Sequence, residues 1–336
     1  MKSVKGTRFF VLVFSLSSLT VFALPLFTAL NVGQVLKQTT SGDVDKRCVR
    51  CPSCLQRIHG NCLNKSAYVR KHPDCFRAGS GALCNRSVWA CPNTGVWFTW
   101  PMLTGVEVEK MYRHEYNGQS ITNLEPKSQR MSAQYKYIRE LILDNRNYGS
   151  EGVKYHILEI GCAGGYLLQM LAPWSSMLTC FEPSPRYSEL AKNVLLTNAT
   201  NIDVRVFASN WNASMISDSS IDIFISSHVL EHIPDLCLFF TQLYERMKPG
   251  GAVFSEVPSH NHDVVATTFG GMFHVTLFDA RGWILMMEAV GFELMHIEKT
   301  GANERTVPNG YHIRAIFTKP GHPSQSKRPK WKGLGS

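Results

Sequence analysis

The feature that most constrains the fold is a regular alternation of apolar and amphipathic segments between residues 153 and 319. Apolar runs of strand length are followed by stretches with helical periodicity, and the joins are short. This alternation predicts a mostly parallel sheet covered by helices on both faces. The last two strands lack a helical pattern between them, which predicts an antiparallel pair at one edge. The predicted strands are 155–160, 177–181, 202–207, 221–226, 252–257, 292–299 and 311–318.

A glycine-rich turn follows the first predicted strand. It runs from Glu159 through Gly161 and Ala163 to Gly165, and glycines let a backbone turn tightly against a ligand. Open α/β sheets bind ligands at the carboxyl ends of their strands. Glu182 follows the second strand, where a carboxylate can accept both hydroxyls of a ribose. The pattern predicts a nucleoside site; the alternative is that the glycines only make a tight turn.

The turn does not match the fingerprint of dinucleotide-binding proteins. That fingerprint needs glycine at the positions of Ala163 and Tyr166. The acidic Glu159 suits a cationic sulfonium ligand better than a pyrophosphate.

Several segments resemble the motifs of class I S-adenosylmethionine-dependent methyltransferases, in the family's order and over about half of the chain. Residues 157–168, ILEIGCAGGYLL, resemble motif I. The later matches resemble the small-molecule and sugar methyltransferases: 181–183 (FEP), 226–235 (SSHVLEHIPD), 248–251 (KPGG) and 256–258 (EVP). The resemblance implies an α/β fold with a seven-stranded, mostly parallel, Rossmann-like sheet, S-adenosylmethionine as cofactor and methyl transfer as activity. Ala163 departs from the glycine that the family often has.

The resemblance also implies cofactor contacts at the carboxyl ends of the first four strands. The turn after the first strand would lie against the methionine moiety, and the carboxylate after the second would hold the ribose. Residues after the third would border the adenine, and those after the fourth would face the methyl group. In strand order the residues are Glu159, Gly161, Ala163, Gly165, Glu182, Ala208, Ser209, Asn210, Ser227 and His228.

Three histidines are candidates for the base that a hydroxyl acceptor needs: His228, His232 and His274. The segment around His274 resembles the stretch before the last helix of sugar C-methyltransferases. Of the tyrosine and the glutamate–histidine pair typical there, only the histidine is kept, which favours O-methyl transfer. Alternatively, Glu231 and His232 only brace the loop, and His274 is a hydrogen-bonded core residue. No metal site is predicted among these residues.

A small cysteine-rich N-terminal module is predicted at 48–100. Seven cysteines lie there, and the spacing Cys48-x-x-Cys51-x-x-Cys54 is compatible with zinc. Residues 88–116 resemble half of a zinc ribbon found before some bacterial methyltransferases, but Thr94 replaces a ligand, which favours disulfides over zinc. Because seven is odd, one cysteine is free, pairs with another chain, or pairs with Cys162, Cys180 or Cys237.

An uncharged, apolar stretch near the N-terminus predicts a membrane anchor. Residues 9–30 carry no charge and are long enough to span a bilayer, and basic residues precede them. The prediction is a single-pass type II protein of the secretory pathway, in the Golgi, with a cytosolic tail at 1–8; a cleaved signal peptide is the alternative. Four glycosylation sequons support this location, at Asn64, Asn85, Asn198 and Asn212. The predicted partners are the membrane and a small-molecule or glycan acceptor.

Charge argues against nucleic acid as a partner. The net charge is +9, but eight basic residues lie in two terminal segments without acids, so the rest of the chain has a net charge of only +1. The predicted organisation is completed by a stem (31–47), a connecting region (101–150) that ends in a helix over 129–145, the methyltransferase domain (151–319) and a disordered basic tail (320–336). Two other functions stay open: a methyltransferase of lipids or small molecules at a membrane, and an inactive binding protein that keeps the fold.

Overall fold

The structure is a computed structural model. It describes residues 67–71, 86–90, 96–108, 125–144, 152–198, 202–259, 274–300 and 311–321. The predicted anchor, the stem, the seven cysteines of the N-terminal module and residues 322–336 of the tail lie outside these ranges, as do the sequons at Asn64 and Asn85.

The main element is a seven-stranded sheet in which six strands run in one direction and β11 runs in the opposite direction. Its parallel strands pair in the order β8, β7, β4, β5, β6, and β11 separates β10 from β8. Numbered along the chain within this sheet, the order is 3-2-1-4-5-7-6. The strands are β4 (Tyr155–Ile160), β5 (Ser175–Phe181), β6 (Asp203–Phe207), β7 (Ile221–Ser227), β8 (Met247–Ser259), β10 (Glu293–Thr300) and β11 (Tyr311–Thr318).

Both faces of this sheet are buried. Side chains of consecutive strand residues point to opposite faces, and Ile157 and Leu158 accordingly belong to two different apolar clusters. Helices α1 (Glu125–Ile138), α2 (Tyr166–Leu171) and α3 (Pro185–Asn198) cover one face; α4 (Leu236–Arg246) and α5 (Ala280–Val290) cover the other. The predicted α/β class with a mostly parallel seven-stranded sheet is confirmed.

A second sheet was not predicted from the sequence. It has four antiparallel strands in the order β1-β2-β3-β9. Three come from the predicted N-terminal module: β1 (Ala67–Lys71), β2 (Ser87–Ala90) and β3 (Trp97–Trp100). The fourth, β9 (Thr276–Leu277), directly precedes α5. The second sheet therefore joins the N-terminal module to the segment that carries His274.

Two element boundaries differ from the predictions. The helix predicted over 129–145 is α1 followed by a π-helical turn, Arg139–Leu143. Strand β8, predicted to start at 252, starts at Met247 and includes the Pro-Gly-Gly segment, because its pairing with β7 begins at Ile221 and Met247 and resumes after an irregularity.

Candidate active site

The turn after β4 needs glycine at its first position. Gly161 has a φ of +63°, and a Cβ atom built there would lie 2.3 Å from Cγ2 of Val229. The backbone N–H of Gly161 donates to the carbonyl of Phe181, the last residue of β5 (2.7 Å). Gly165 also has a positive φ, +75°, and begins α2. Ala163 adopts a φ of +46°, which is unusual for a residue with a side chain.

Glu182 holds this turn in place. It follows β5, is buried, and accepts the backbone N–H of Ala163 (3.0 Å) with one carboxylate oxygen and that of Ser184 (2.9 Å) with the other. The backbone N–H of Glu182 donates to the carbonyl of Phe207 at the end of β6 (3.0 Å). The turn after β4, the carboxylate after β5 and the loop after β6 therefore meet at one edge of the sheet.

Glu159 is the last but one residue of β4, and its side chain is buried. Burial and the negative charge of Glu182 raise its pKa to about 8. The carboxyl group is therefore mostly protonated at neutral pH. One of its oxygens accepts no hydrogen bond within the described part of the chain.

A disulfide lies beneath the same turn. Cys162, in the turn, is bonded to Cys180 in β5, with 5.9 Å between their Cα atoms. The sequence left open whether either cysteine pairs with the N-terminal module. The structure pairs them with each other, so the turn after β4 is covalently tied to the strand that ends at Glu182.

The loop after β6 holds the residues predicted to border the adenine. Ser209 is half-buried, Asn210 is exposed, and the hydroxyl of Ser209 donates to the carbonyl of Asn210 (3.0 Å). Ser227 lies elsewhere, at the end of β7, where its hydroxyl accepts a hydrogen bond from the amide of Gln134 (2.7 Å). The predicted cofactor contacts thus stand at the ends of neighbouring strands, and their roles stay predictions.

His228 lies between two buried carboxylates. Its Nδ1 is 3.4 Å from Oε1 of Glu231, and its Nε2 is 3.2 Å from Oε1 of Glu256. Its backbone is in the left-handed region, with a φ of +55°, and its N–H donates to the carbonyl of Glu256 (2.9 Å). Burial alone would lower the pKa of the imidazole, but the two carboxylates outweigh it and raise this pKa. The two carboxylates thereby favour the charged form of the ring, and the role of His228 as a base stays a prediction.

Glu256 is the centre of an ion-pair network that the sequence did not predict. It is fully buried in β8, accepts hydrogen bonds from Arg314 of β11 and Gln134 of α1 (2.9 Å for Gln134), and lies 3.9 Å from Arg130. Burial would raise its pKa, but His228 and the two arginines hold it well below the usual range. One signal was available: Glu256 and Arg314 are charged residues within mainly apolar stretches, 252–257 and 311–318.

Glu231, His232 and His274 form a second polar group beside His228. Glu231 and His232 lie in a 3₁₀ turn, Leu230–His232, and the backbone N–H of Val275 donates to the carbonyl of Glu231 (2.8 Å). Oε1 of Glu231 is 3.9 Å from Nε2 of His232 and 3.8 Å from Nε2 of His274. The structure thus brings the three predicted histidines together around one carboxylate.

This strand order, with a glycine-containing turn after the first strand and an acidic residue after the second, defines a class I S-adenosylmethionine-dependent methyltransferase. The match to a family model agrees: residues 121–297, more than half of the chain, match the model described as a methyltransferase domain. The chain belongs to this family. The predicted enzyme class and the predicted cofactor are confirmed.

The chain is similar to curated O-methyltransferases over part of its length. It is 33% identical over 104 residues to the ubiquinone biosynthesis O-methyltransferase of Chelativorans sp. (strain BNC1), covering 31% of this chain and 40% of that protein. It is 25% identical over 122 residues to the protein of the same name from Rhizobium leguminosarum bv. trifolii, covering 35% and 48%. The chain therefore spans less than half the length of these relatives.

Two solved structures are among those to which the chain is similar. One is magnesium protoporphyrin IX methyltransferase from Synechocystis PCC 6803 with bound S-adenosylhomocysteine: identity is 10%, the TM-score 0.48, and coverage 64% of this chain and 100% of that one. The other is geranyl diphosphate C-methyltransferase from Streptomyces coelicolor A3(2): identity is 12%, the TM-score 0.46, and coverage 60% and 86%.

The predicted localisation is corrected by these comparisons. The curated relatives named above are bacterial enzymes, and bacteria have no Golgi. Within the residues that the structure describes, no helix combines the length and the apolar character needed to cross a bilayer. The prediction depended on 9–30, which lies outside the described residues, and on sequons, which are short enough to arise by chance.

Proposed function

We propose that this protein transfers a methyl group from S-adenosylmethionine to a hydroxyl oxygen of a small-molecule acceptor. The observation that carries the proposal is that two groups of residues share one edge of the sheet. The turn that Glu182 holds follows β4. The neighbouring strand, β7, leads into the segment that contains His228, Glu231 and His232. This arrangement supports a nucleoside site on one strand and an acceptor site, made by polar side chains, on the adjacent strand.

The residues around the turn fit the cofactor. The φ of Gly161 and its approach to Val229 leave no space for a side chain at the first position. Glu182 already accepts two backbone N–H groups, and a carboxylate oxygen can accept a further bond from a ribose hydroxyl. When bound, S-adenosylmethionine supplies a methyl group activated by its sulfonium charge.

The acceptor oxygen forms the new bond to the methyl carbon as the bond from that carbon to sulfur breaks, leaving a neutral thioether. The hydroxyl proton must leave, and positioning supplies most of the remaining acceleration. The sequence predicts His228, His232 or His274 as the proton acceptor. This proposal assigns the role to His232 or His274, because the contacts of His228 with two carboxylates favour its charged form.

The names of the relatives support oxygen as the acceptor atom and a small molecule as the acceptor, since both are ubiquinone biosynthesis O-methyltransferases. A glycan was predicted only from the secretory location, which has been corrected. Among small acceptors, phenols and catechols have the more acidic hydroxyls and are therefore the first to be offered.

The experiment has two stages. Calorimetry with S-adenosylmethionine and S-adenosylhomocysteine tests the cofactor site of the full chain. Transfer of a labelled methyl group is then measured to a panel of phenols, catechols and aliphatic alcohols. Binding of the cofactor without transfer to any acceptor would favour the inactive binding protein, and absence of binding by folded protein would refute the proposal.

A further inference from the structure

The group formed by Glu231, His232 and His274 has the composition of a metal site. It contains one carboxylate and two imidazoles, and one ligand atom from each lies within 4.8 Å of the other two. Oxygen and nitrogen donors in this ratio are typical of catalytic zinc sites, which use three protein ligands and leave one position open. The two imidazoles favour zinc-like ions over magnesium or calcium.

The burial of Glu231 is a second, independent observation. Its side chain is 1% exposed, and neither carboxylate oxygen has a partner with hydrogen-bond geometry within the described residues; the imidazole of His228 approaches one of them to 3.4 Å. A buried carboxylate without well-formed hydrogen bonds is costly unless a cation compensates for it.

The distances suit a tetrahedral ion with little movement. Two ligand atoms bound at about 2.1 Å to a tetrahedral zinc ion are about 3.4 Å apart. Oε1 of Glu231 is 3.9 Å from Nε2 of His232 and 3.8 Å from Nε2 of His274. Each imidazole must therefore approach the carboxylate by about half an ångström, and the two imidazole nitrogens, which lie within 4.8 Å of each other, must approach by up to about 1.4 Å, which side-chain rotation supplies.

The backbone already brings the two ligand-bearing segments together. The hydrogen bond from the N–H of Val275 to the carbonyl of Glu231 joins the residue after His274 to the 3₁₀ turn (2.8 Å). His228 contacts Glu231 with one ring nitrogen and Glu256 with the other. Its ring therefore orients the carboxylate and adds no further ligand.

We propose that Glu231, His232 and His274 bind a divalent transition-metal ion of the zinc type, with one coordination position open. The binding site stands on this geometry alone. Its use rests on the proposed function: a hydroxyl of the acceptor that occupies the open position loses its proton to solvent more readily. In the metal-bound protein His232 and His274 are ligands, and no histidine base is needed, because the metal ion lowers the pKa of the acceptor hydroxyl.

The test is metal binding by the full chain after chelator treatment, with zinc measured by calorimetry and cobalt(II) by absorption. We expect wild type to bind one equivalent more than His274→Ala and His232→Ala, and affinity at this site to fall at least about 100-fold in both variants, since even the loss of an outer-shell partner costs 10- to 100-fold. His296→Ala is the matched control, because His296 is exposed on β10. It should bind as wild type does.

Cobalt(II) separates this site from any site made by cysteines. Thiolate ligands give strong charge-transfer absorption in the near ultraviolet, whereas nitrogen and oxygen ligands give only weak visible bands. The visible bands should disappear in His274→Ala and in His232→Ala, while any thiolate absorption stays unchanged. His232 is more exposed than His274, so its substitution should disturb the fold less. Circular dichroism checks that both variants are folded.

Equal stoichiometry and identical spectra for wild type and both variants would overturn the inference, as would wild-type protein that binds neither ion. These measurements involve neither cofactor nor acceptor. A protein that binds the metal but transfers no methyl group would therefore contradict the proposed function alone, and chelator-resistant transfer by a protein without metal would contradict only this inference.

Discussion

One carboxylate oxygen of Glu182 accepts the backbone N–H of Ala163 across 3.0 Å. The carboxylate at the end of β5 thereby holds a turn in which Ala163 has a positive φ. The same side chain is the one predicted to hold the ribose. If the prediction is correct, one residue controls both the shape of the turn and the binding of the cofactor.

Replacement of Glu182 by glutamine should weaken cofactor binding. The substitution removes the charge that strengthens the bond to Ala163 and, in the proposal, those to the ribose. A hydrogen bond to a charged group contributes about 1.5–3 kcal/mol, so we expect the dissociation constant for S-adenosylhomocysteine to rise about 10- to 100-fold, measured by calorimetry. Glu189→Gln, at an exposed position of α3, is the control. Unchanged affinity in Glu182→Gln would exclude a role for its charge.

Replacement of Gly161 by alanine should destabilise the fold more than the same change at Gly250. Both residues have a positive φ, but a Cβ at Gly250 would meet no atom within 4 Å, whereas at Gly161 it would lie 2.3 Å from Val229. Backbone strain alone costs roughly 1–2 kcal/mol. The contact at Gly161 should add about 1–3 kcal/mol, measured by urea unfolding.

The double variant Gly161→Ala/Val229→Ala tests the cause of that difference. Truncation of Val229 removes the methyl group that the new Cβ would meet. It should therefore recover part of the lost stability despite its own cost. Strictly additive losses would show that the close approach is not responsible.

Replacement of Glu159 by glutamine should change the dependence of stability on pH. The pKa of this carboxyl is about 8 in the folded protein and near 4.5 when unfolded, so the folded state holds an extra proton between these values. The contribution of Glu159 to the free energy of unfolding must therefore decrease as pH rises from about 4.5 to about 8, by at most about 1.4 kcal/mol per pH unit.

Glu159→Gln lacks this titration. The melting temperature of the variant should therefore rise relative to that of wild type as pH increases, and the difference should be largest near pH 8. Glu182→Gln should show part of the effect, because the charge of Glu182 raises the pKa of Glu159. Thermal melts at several pH values measure both. Parallel curves for wild type and Glu159→Gln would contradict the assigned pKa.

Replacement of Arg314 by methionine should cost about 3 kcal/mol of stability. The change leaves the fully buried carboxylate of Glu256 without its charged partner on β11. Arg205→Met, which removes an exposed pair with Asp203 on β6, should cost less than about 1 kcal/mol. Chemical unfolding compares the two. If both variants lose equally little, Glu256 is satisfied by its other partners, and the ion pair to Arg314 is dispensable.

Local sequence patterns were sufficient for the sheet and for the cofactor turn. The alternation of apolar segments predicts a parallel sheet covered by helices on both faces, and Gly161, Gly165 and Glu182 follow the ends of the first two strands. The second sheet could not be predicted, since β9 has two residues and pairs with Trp97 and Phe98, far away in the chain.

The roles of the histidines also depend on distant partners. The sequence predicts His228 as one of three candidate bases. The pKa of His228 depends on Glu231 and on Glu256 of β8, and Glu256 in turn contacts Gln134 and Arg314. Nothing near His228 in the sequence reports Glu256 or its contacts. A charged residue inside a mainly apolar strand segment was the one available signal. It predicts a buried charge at that position but does not predict which residues pair with it.

The pairing of β3 with β9 has a consequence for how this enzyme can be dissected. Trp97 pairs with Leu277, three residues beyond His274, so the N-terminal strands brace the backbone that presents this imidazole. A fragment trimmed to the seven-stranded sheet would lose that brace while keeping every motif of the family. Activity measured on such a fragment would therefore report on a site whose His274 segment has lost its pairing partner.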